Sequence, residues 1–358
     1  MSEAGETRLV LEKQIEIAER LLQERRITEA MAAFDAAEAM GADEDGCSAA
    51  RWMAAMLGGN FEAAWRESDD IRARGGPDPH QFWMGEDPRG KRVIVRCLHG
   101  FGDAVQFLRF LPRLNAVAEQ VIVEVPPRML SLAPYLVGVG EVISWGEKAP
   151  QRAPEWDVQV EVMELPYLFR VHEAELPVAT NYLQLPGACV LEAGRAMGDR
   201  RGLRVGLVWA AGEWNPARSL PLECFGDLVR SGAAEFWSLQ GGDMSGAAED
   251  WLRAGLLRDA SICGDGLSVL AAVIANLDLV ITVDTLAAHL AGSMGVPVWV
   301  LLQHAADWRW MTERSDSPWY PTLRLFRQVR EGDWKGVMER LQAELLKLSG
   351  SIGEWTER

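Results

Sequence analysis

The spacing of apolar residues divides the chain into a helical beginning and two later segments in which strands alternate with helices. Between residues 9 and 75, apolar residues recur at the spacing of one helix face, as at Leu11, Ile15, Ala18 and Leu22. After a Gly- and Pro-rich stretch at 75–79, short β-branched runs alternate with helical segments. The pattern therefore predicts a small helical domain followed by α/β structure.

The predicted strands form two groups, separated by a Gly-rich, charged stretch at 192–202. The first group comprises 93–98, 121–125, 142–143 and 158–160, and the second comprises 204–209, 236–239, 279–283 and 298–302. Helices are predicted at 105–114, 267–275 and 286–294, and another begins near Ser219. We therefore expect three domains: a helical segment at 1–75, an α/β domain at 76–200, and a second α/β domain with a tail helix at 201–358.

Two helical segments near the start resemble each other. The pairs Glu29-Ala30 and Glu62-Ala63 lie 33 residues apart, close to the ~34-residue period of tetratricopeptide repeats. A helical cap with a chance similarity is the alternative. Residues 1–75 hold 9 basic and 16 acidic residues, a net charge of −7.

The composition excludes several classes of protein. The 358 residues carry a net charge of −16, which disfavours nucleic acids and anionic membrane surfaces as partners. The five cysteines are widely spaced, without a zinc-binding pattern, and are expected to be free thiols. Because we find neither a secretory signal nor a transmembrane run, we expect a cytoplasmic protein. The chain has 15 tryptophans, and we expect most of those near its end to pack the tail against the second α/β domain; they are Trp299, Trp308, Trp310, Trp319 and Trp334.

Three predicted strand-to-helix loops carry polar residues, and the carboxyl ends of parallel strands are where α/β proteins bind ligands. The first runs from His99 through Gly100 and Gly102 to Asp103. Its glycines permit a sharp turn and close approach of a ligand. Asp103 either caps the following helix or accepts a proton from a substrate hydroxyl.

The second loop follows the most apolar strand and contains Asp284 and Thr285, with His289 one helical turn later. A helix that begins at 285 or 286 presents free N–H groups to a phosphate, and Thr285 and His289 share one of its faces. A helix cap beside a core histidine is the alternative.

The third loop runs from Trp209 to Arg218 and precedes a Ser/Pro helix start. Arg218 and that helix together suit a leaving diphosphate, whereas an exposed surface arginine is the alternative. Trp209 and Trp214 are candidates for lining a cleft between the two α/β domains.

These loops, with several downstream motifs, resemble the sequence marks of GT-B glycosyltransferases. The shared marks are Gly102-Asp103, Arg218-Ser219-Leu220-Pro221, Asp284-Thr285, His289-Leu290-Ala291-Gly292, Gly295-Val296-Pro297-Val298-Trp299 and Ser317-Pro318-Trp319-Tyr320-Pro321. The chain looks like a bacterial tetratricopeptide-repeat glycosyltransferase, similar to the family 9 heptosyltransferases and more distantly to protein O-GlcNAc transferases. The resemblance implies two Rossmann-like domains that face a cleft.

The resemblance also implies roles for individual residues. Asp103 would be the general base, and Arg218 would neutralise the diphosphate. Asp284, Thr285 and His289 would form the donor site, with Gln240 near the nucleoside and Trp209 at the cleft.

The expected activity is inverting transfer from a nucleoside-diphosphate sugar to an acceptor hydroxyl, with no cofactor and no metal. The acceptor would be a protein, a peptide or a glycan, and residues 1–75 would dock a protein or peptide acceptor. The only Asp-x-Asp motif, at Asp43 and Asp45, lies in an acidic turn between predicted helices. An inactive binding protein and a sugar-nucleotide epimerase on the same fold are the alternatives.

Overall fold

The computed structural model describes residues 3–75, 81–146, 154–176, 181–212 and 215–356. Residues 76–79 of the predicted Gly- and Pro-rich boundary, and the candidate Trp214, lie outside the described residues. The chain forms two compact units. The helical unit comprises the residues up to 80 with 166–176 and 305–314, and the α/β unit comprises 81–165, 177–304 and 315–358.

The helical unit begins with four consecutive helices that pack against one another. They are α1 (Glu3–Gln23), α2 (Ile27–Ala39), α3 (Glu44–Leu57) and α4 (Phe61–Arg74). The two similar sequence segments fall at the starts of α2 and α4, where Ala30 and Ala64 are fully buried. Small side chains at these positions let neighbouring helices approach closely. The arrangement agrees with two helix pairs, and the tetratricopeptide assignment stays a prediction.

Polar side chains cap the N-termini of α3 and α4. The Asp43 carboxylate accepts a 2.7 Å hydrogen bond from Gly46 N, and Asn60 Oδ1 accepts one of 3.1 Å from Ala63 N. Asp45 pairs with Arg74 at 2.7 Å. The Asp-x-Asp motif therefore has a structural role at a helix start.

Two segments from later in the chain complete the helical unit. Trp65 Nε1 donates to the Val171 carbonyl at 2.9 Å, and Thr312 N donates to the Leu57 carbonyl at 2.9 Å. The rings of Trp52 and Trp308 pack edge to face, with centroids 5.4 Å apart. The expectation that Trp308 packs the tail against the second α/β domain is therefore wrong, because its ring contacts α3.

The first sheet contains four parallel strands in the order β3-β2-β1-β4. They are β1 (Arg92–Arg96), β2 (Gln120–Val125), β3 (Glu141–Ser144) and β4 (Val158–Glu161), accompanied by α5 (Phe101–Phe107) and α6 (Leu111–Asn115). The short helix α7 (Leu165–Leu168) leads into the segment 166–176 of the helical unit. The predicted helix at 105–114 is interrupted by a 3-10 turn at Leu108–Phe110. Pro112 has no backbone N–H and is suited only to the first turn of a helix, so α6 begins anew beside it.

The second sheet contains six parallel strands in the order β10-β9-β8-β5-β6-β7. The strands are β5 (Arg204–Val208), β6 (Glu235–Ser238), β7 (Arg258–Asp259), β8 (Leu279–Val283), β9 (Val298–Leu302) and β10 (Leu323–Arg327). The helices are α8 (Gly187–Met197), α9 (Gly226–Arg230), α10 (Glu249–Arg253), α11 (Leu267–Ile274), α12 (Leu286–Ser293) and α13 (Trp334–Thr356). The sequence analysis did not identify β7, β10 or α8, and α8 occupies the first half of the stretch that separates the two groups of strands.

Burial on both faces of the second sheet explains why its central strands are rich in apolar residues. β5, β8 and β9 are buried along their whole length, as parallel strands covered on both faces must be. Val337, Leu341 and Leu345 of α13 belong to the same core as Val205 and Ile281. The tail helix thus completes the second sheet.

Candidate functional site

The strand orders place two topological switch points in the α/β unit. In the second sheet, β5 and β8 are neighbours and their crossover connections run in opposite directions, the arrangement of a Rossmann sheet. In the first sheet, β1 and β4 hold the equivalent positions. Ligands bind beyond the carboxyl ends of strands at such points. All three loops that the sequence analysis selected follow β1, β5 or β8.

The loop after β8 carries Asp284 and Thr285. Asp284 is 4% exposed, and Thr285 is the N-cap residue of α12. The Thr285 hydroxyl lies 2.8 Å from the hydroxyl of Thr282 and makes no side-chain capping bond. The predicted helix start at 285 or 286 is confirmed. The first N–H groups of α12 therefore lie at the carboxyl end of β8.

Arg218 reaches this loop from the other side of the switch point. Its Nη1 donates to the Asp284 carbonyl at 3.1 Å and lies 3.7 Å from Asp284 Oδ2. The Arg218 side chain is 19% exposed, so the reading of a fully exposed surface arginine does not hold. The structure thus brings together two residues that are 66 positions apart in the sequence.

The loop after β1 leads directly into α5. Asp103 lies in the first turn, where its Oδ2 accepts a 3.0 Å hydrogen bond from Gly100 N. The capping interpretation of Asp103 is therefore correct. The same hydrogen bond fixes the Asp103 carboxyl group near the carboxyl end of β1. The imidazole of His99 is mostly exposed.

Gly102 of α5 packs against His289 of α12. A Cβ atom at Gly102 would lie 2.8 Å from His289 Cδ2 and 3.3 Å from Nε2, too close for any side chain without rearrangement. Glycine is therefore required for this approach. The contact places the helix that carries Asp103 beside the helix that carries His289.

His289 is 2% exposed and belongs to a buried polar network. Its Nδ1 lies 2.9 Å from the hydroxyl of Tyr320, which is 3.4 Å from the hydroxyl of Tyr182. Arg109 donates to Tyr182 at 3.0 Å and to the Trp319 carbonyl at 2.6 Å. Burial holds the pKa of Tyr320 well above its usual range, so the phenol is protonated. His289 is thus a core histidine with a satisfied Nδ1, and its place in a donor site stays a prediction.

Two candidates from the sequence have structural roles in the loop after β5. Gln240 Oε1 accepts from the N–H groups of Trp209 and Ala210 at 3.2 and 2.9 Å, and its Nε2 donates to the Ala210 carbonyl at 3.2 Å. Its amide thus holds the loop backbone, and contact with a nucleoside stays a prediction. The Trp209 ring is fully buried in the core of the second sheet. It therefore does not line a cleft.

Glu161 is a residue that the sequence analysis missed. It ends β4, directly across the first switch point from the loop after β1, and its Oε1 lies 3.9 Å from His99 Nε2. Burial raises the pKa of the Glu161 carboxyl, although the Met163 N–H and the neighbouring His99 oppose the rise. Its position one residue after the predicted strand 158–160 was the signal available in the sequence.

Neither a metal cluster nor a membrane span is found in the described part of the chain. No group of three or more His, Cys, Asp or Glu side chains there is arranged to hold a metal ion. Metal independence stays a prediction. None of the described helices combines the length and the hydropathy that crossing a bilayer requires.

Comparison with known proteins agrees with this architecture. No protein-family model matches the chain. Protein FlbA of Caulobacter vibrioides is 28% identical over 303 residues, which cover 76% of this chain and 49% of FlbA. The chain thus spans about half the length of this curated relative.

Two solved structures share the fold. A glycosyl transferase family 9 protein from Veillonella parvula superposes with a TM-score of 0.56 at 13% identity, over 74% of this chain and 98% of that one. The ADP-heptose lipopolysaccharide heptosyltransferase II of Escherichia coli superposes with a TM-score of 0.53 at 16% identity, over 72% and 99%. The α/β unit therefore has the GT-B glycosyltransferase fold that its loops led us to expect.

Proposed function

We propose that this chain is an inverting, metal-independent glycosyltransferase that moves a sugar from a nucleoside diphosphate to an acceptor hydroxyl. The observation that carries the proposal is the contact of Gly102 with His289, which brings the loops of both sheets together on a GT-B fold. The name of the Escherichia coli relative identifies ADP-heptose as its substrate, which supports a nucleoside-diphosphate sugar as the donor class. No cofactor is needed in this reaction.

Asp103 acts as the general base in this proposal. Its carboxylate takes the proton of the acceptor hydroxyl while the hydroxyl oxygen bonds to the anomeric carbon. The bond from that carbon to the diphosphate breaks on the opposite face, so the configuration inverts. The hydrogen bond from Gly100 N keeps the carboxyl group in place for this step.

The loop after β8 receives the leaving diphosphate. Arg218 supplies positive charge, while Thr285 and the first N–H groups of α12 supply donors at the positive end of the helix dipole. Asp284 holds Arg218 beside the loop through its carbonyl. His289 adds a further donor from the same helix. Together these groups stabilise charge that develops as the sugar leaves.

The acceptor is a protein or peptide that residues 1–75 dock in this proposal. The net charge of −7 in these residues favours a basic docking segment. A glycan acceptor remains the other outcome of an acceptor screen.

A thermal-shift panel of UDP-, GDP-, ADP-, TDP- and CMP-sugars tests donor binding. The true donor binds only the folded protein and is expected to raise its Tm by mass action. Arg218→Ala should remove the shift, whereas Arg201→Ala, at an exposed position in the same unit, should retain it. The absence of a shift across the panel would support an inactive binding protein.

Asp103→Asn tests the general base, because asparagine can keep the hydrogen bond to Gly100 but cannot take a proton. Transfer should fall by about 10²- to 10⁴-fold with the Tm unchanged, while Asp199→Asn, at an exposed position, keeps the wild-type rate. An unchanged rate in Asp103→Asn would contradict the assignment.

Two further assays separate the alternatives. Chelation should leave the rate of transfer unchanged, and loss of activity that Mn²⁺ or Mg²⁺ restores would refute metal independence. Conversion of the donor without any acceptor would identify an epimerase.

A further inference from the structure

Four side chains from separate parts of the α/β unit form a continuous buried chain of hydrogen bonds. Arg109 follows α5, Tyr182 precedes α8, Tyr320 precedes β10, and His289 lies in α12. The chain runs from Arg109 Nη2 to the Tyr182 hydroxyl, from there to the Tyr320 hydroxyl, and ends at His289 Nδ1. All four residues are buried.

The direction of this chain follows from the chemistry of its first member. Arginine donates hydrogen bonds and accepts none. The Tyr182 oxygen therefore accepts from Arg109, and its own proton is directed to Tyr320, 3.4 Å away. The Tyr320 oxygen then accepts, and its single proton is directed to His289 Nδ1 at 2.9 Å. Arg109 also hydrogen-bonds Tyr320 directly, so both phenol oxygens accept from the guanidinium and the Tyr320 proton is available to His289 Nδ1.

Positive charge beside the network also disfavours protonation of His289. The Arg109 guanidinium lies over the Tyr320 ring at 4.5 Å and over the Tyr182 ring at 4.8 Å. The imidazole is buried, and desolvation opposes a second positive charge there. Both effects favour a neutral imidazole with Nδ1 as acceptor and the proton on Nε2.

The packing of Tyr320 keeps the donor in place. A Cβ atom at Gly292 would lie 2.4 Å from Cδ1 of the Tyr320 ring, so this ring packs directly onto the α12 backbone. The ring edge of His289 that bears Nε2 lies against Gly102, in the first turn of α5. The Nε2 atom thus lies beside the first turn of the helix that carries Asp103.

We propose that Tyr320 is a positioning residue that holds His289 as the neutral Nε2–H tautomer, with Arg109 and Tyr182 setting the direction of the hydrogen-bond chain. The tautomer rests on the geometry alone. Its purpose, a fixed N–H donor for the leaving diphosphate, rests on the proposed function.

The tautomer can be measured without a substrate. In the full-length protein labelled with ¹⁵N-histidine, long-range ¹H–¹⁵N spectra distinguish the two ring nitrogens of each of the five histidines. The His289 signals are assigned as those missing from His289→Gln. We expect an unprotonated Nδ1 and a protonated Nε2 at pH 7. A wild-type spectrum of the Nδ1–H tautomer or of the imidazolium would overturn the proposal.

Variants test the part that Tyr320 plays. Tyr320→Phe should move the His289 ring signals toward a mixture of tautomers, whereas Tyr135→Phe, outside the network, should leave them unchanged. If Tyr320→Phe does not fold, Tyr182→Phe removes the hydroxyl that is 3.4 Å from Tyr320 but keeps the direct hydrogen bond of Arg109 to Tyr320. A smaller shift toward a mixture of tautomers is then expected. Unchanged His289 signals in whichever of the two variants folds would overturn the proposal.

Kinetics separate this proposal from the proposed function. Once the sugar donor is identified, Tyr320→Phe should lower kcat by about tenfold or more at nearly constant KM. A misdirected His289 N–H group loses its hydrogen bond mainly in the transition state. If His289 has the Nε2–H tautomer but the protein binds no nucleotide sugar, the proposal about Tyr320 stands and only the proposed glycosyl transfer is refuted.

Discussion

Gln106 of α5 is the most unusual polar residue in the α/β unit. Its side chain is fully buried, and neither amide atom has a hydrogen-bond partner among the residues that the structure describes. It follows Gly102 by one helical turn, on the face of α5 that packs against α12. A buried amide without partners costs about 1–3 kcal/mol. We therefore expect the Gln106 amide to lower the stability of the protein.

Gln106→Met should stabilise the protein by about 1 kcal/mol, because methionine has a similar shape and no amide to desolvate. The free energy of unfolding from urea titration measures the change. Gln184→Met is the control, since Gln184 is exposed and its replacement should change stability by less than about 0.5 kcal/mol. A destabilised Gln106→Met protein would show that the amide is hydrogen-bonded in solution.

The position of a residue in the fold could be predicted from the sequence where it depends on residues that are nearby in the chain. Asp103, Asp284 and Thr285 lie at strand ends and helix starts that the local pattern indicates. Glu161 was missed, and Tyr320 was noted in a motif without a role, because each contacts a residue that is distant in the sequence. Trp209 was misplaced since a tryptophan after a strand is equally compatible with a core and with a cleft.

At the scale of elements, the approach of α5 to α12 holds the two candidate loops together. Gly102→Ala would place a methyl group 2.8 Å from His289 Cδ2. His289 cannot turn away without breaking its bond to Tyr320. We expect a loss of about 1–3 kcal/mol in stability, as for other overpacked contacts.

Gly187→Ala is the matched control for this prediction. Gly187 is the first residue of α8, and a Cβ atom there would have nothing within 4 Å. Since alanine is the better helix former, this variant should be neutral or slightly more stable. Thermal unfolding of both variants measures the difference. Equal Tm values would contradict the proposed close contact.

The elements themselves were largely predictable because most strands contain a short run of β-branched or other apolar residues. The exceptions have local causes. The two-residue strand β7 is too short for a periodic signal, and α6 restarts after Leu108–Phe110 beside a proline. The strand β10 lies on the outer edge of the sheet, and the exposed Arg324 interrupts its apolar run.

At the scale of the whole molecule, local sequence patterns do not predict the order of the strands or which segments belong to each unit. The two-sheet plan follows from the alternation of strands and helices, but the switch points depend on which strands pair. Likewise, nothing in the sequence of 166–176 or 305–314 indicates that these segments join the helical unit. Their contacts come from side chains about 100 to 280 positions away, such as Trp65 and Arg25.

Asp69 of α4 anchors the segment 166–176 in the helical unit. Its carboxylate accepts hydrogen bonds from Arg170 Nη1 and Nη2 at 2.8 and 2.6 Å, and from the Tyr167 hydroxyl at 2.6 Å. The hydrogen bonds from Arg170, followed by that from Tyr167, hold the pKa of Asp69 below its usual range, against the effect of burial. The carboxylate thus binds the segment in its charged form.

Asp69→Asn should loosen this segment, because asparagine keeps one acceptor and loses the charge. The pair is half exposed, so we expect only about 1 kcal/mol, or roughly fivefold faster hydrogen exchange of the Val171 amide. Since the folded pKa of Asp69 is lowered, its stabilisation is present at neutral pH and lost as the pH falls below about 4, through the folded value. The difference between wild type and variant should therefore shrink in acid. Asp70→Asn, at the exposed neighbouring position, should leave the exchange of Val171 unchanged, and equal effects of the two variants would contradict the anchoring role.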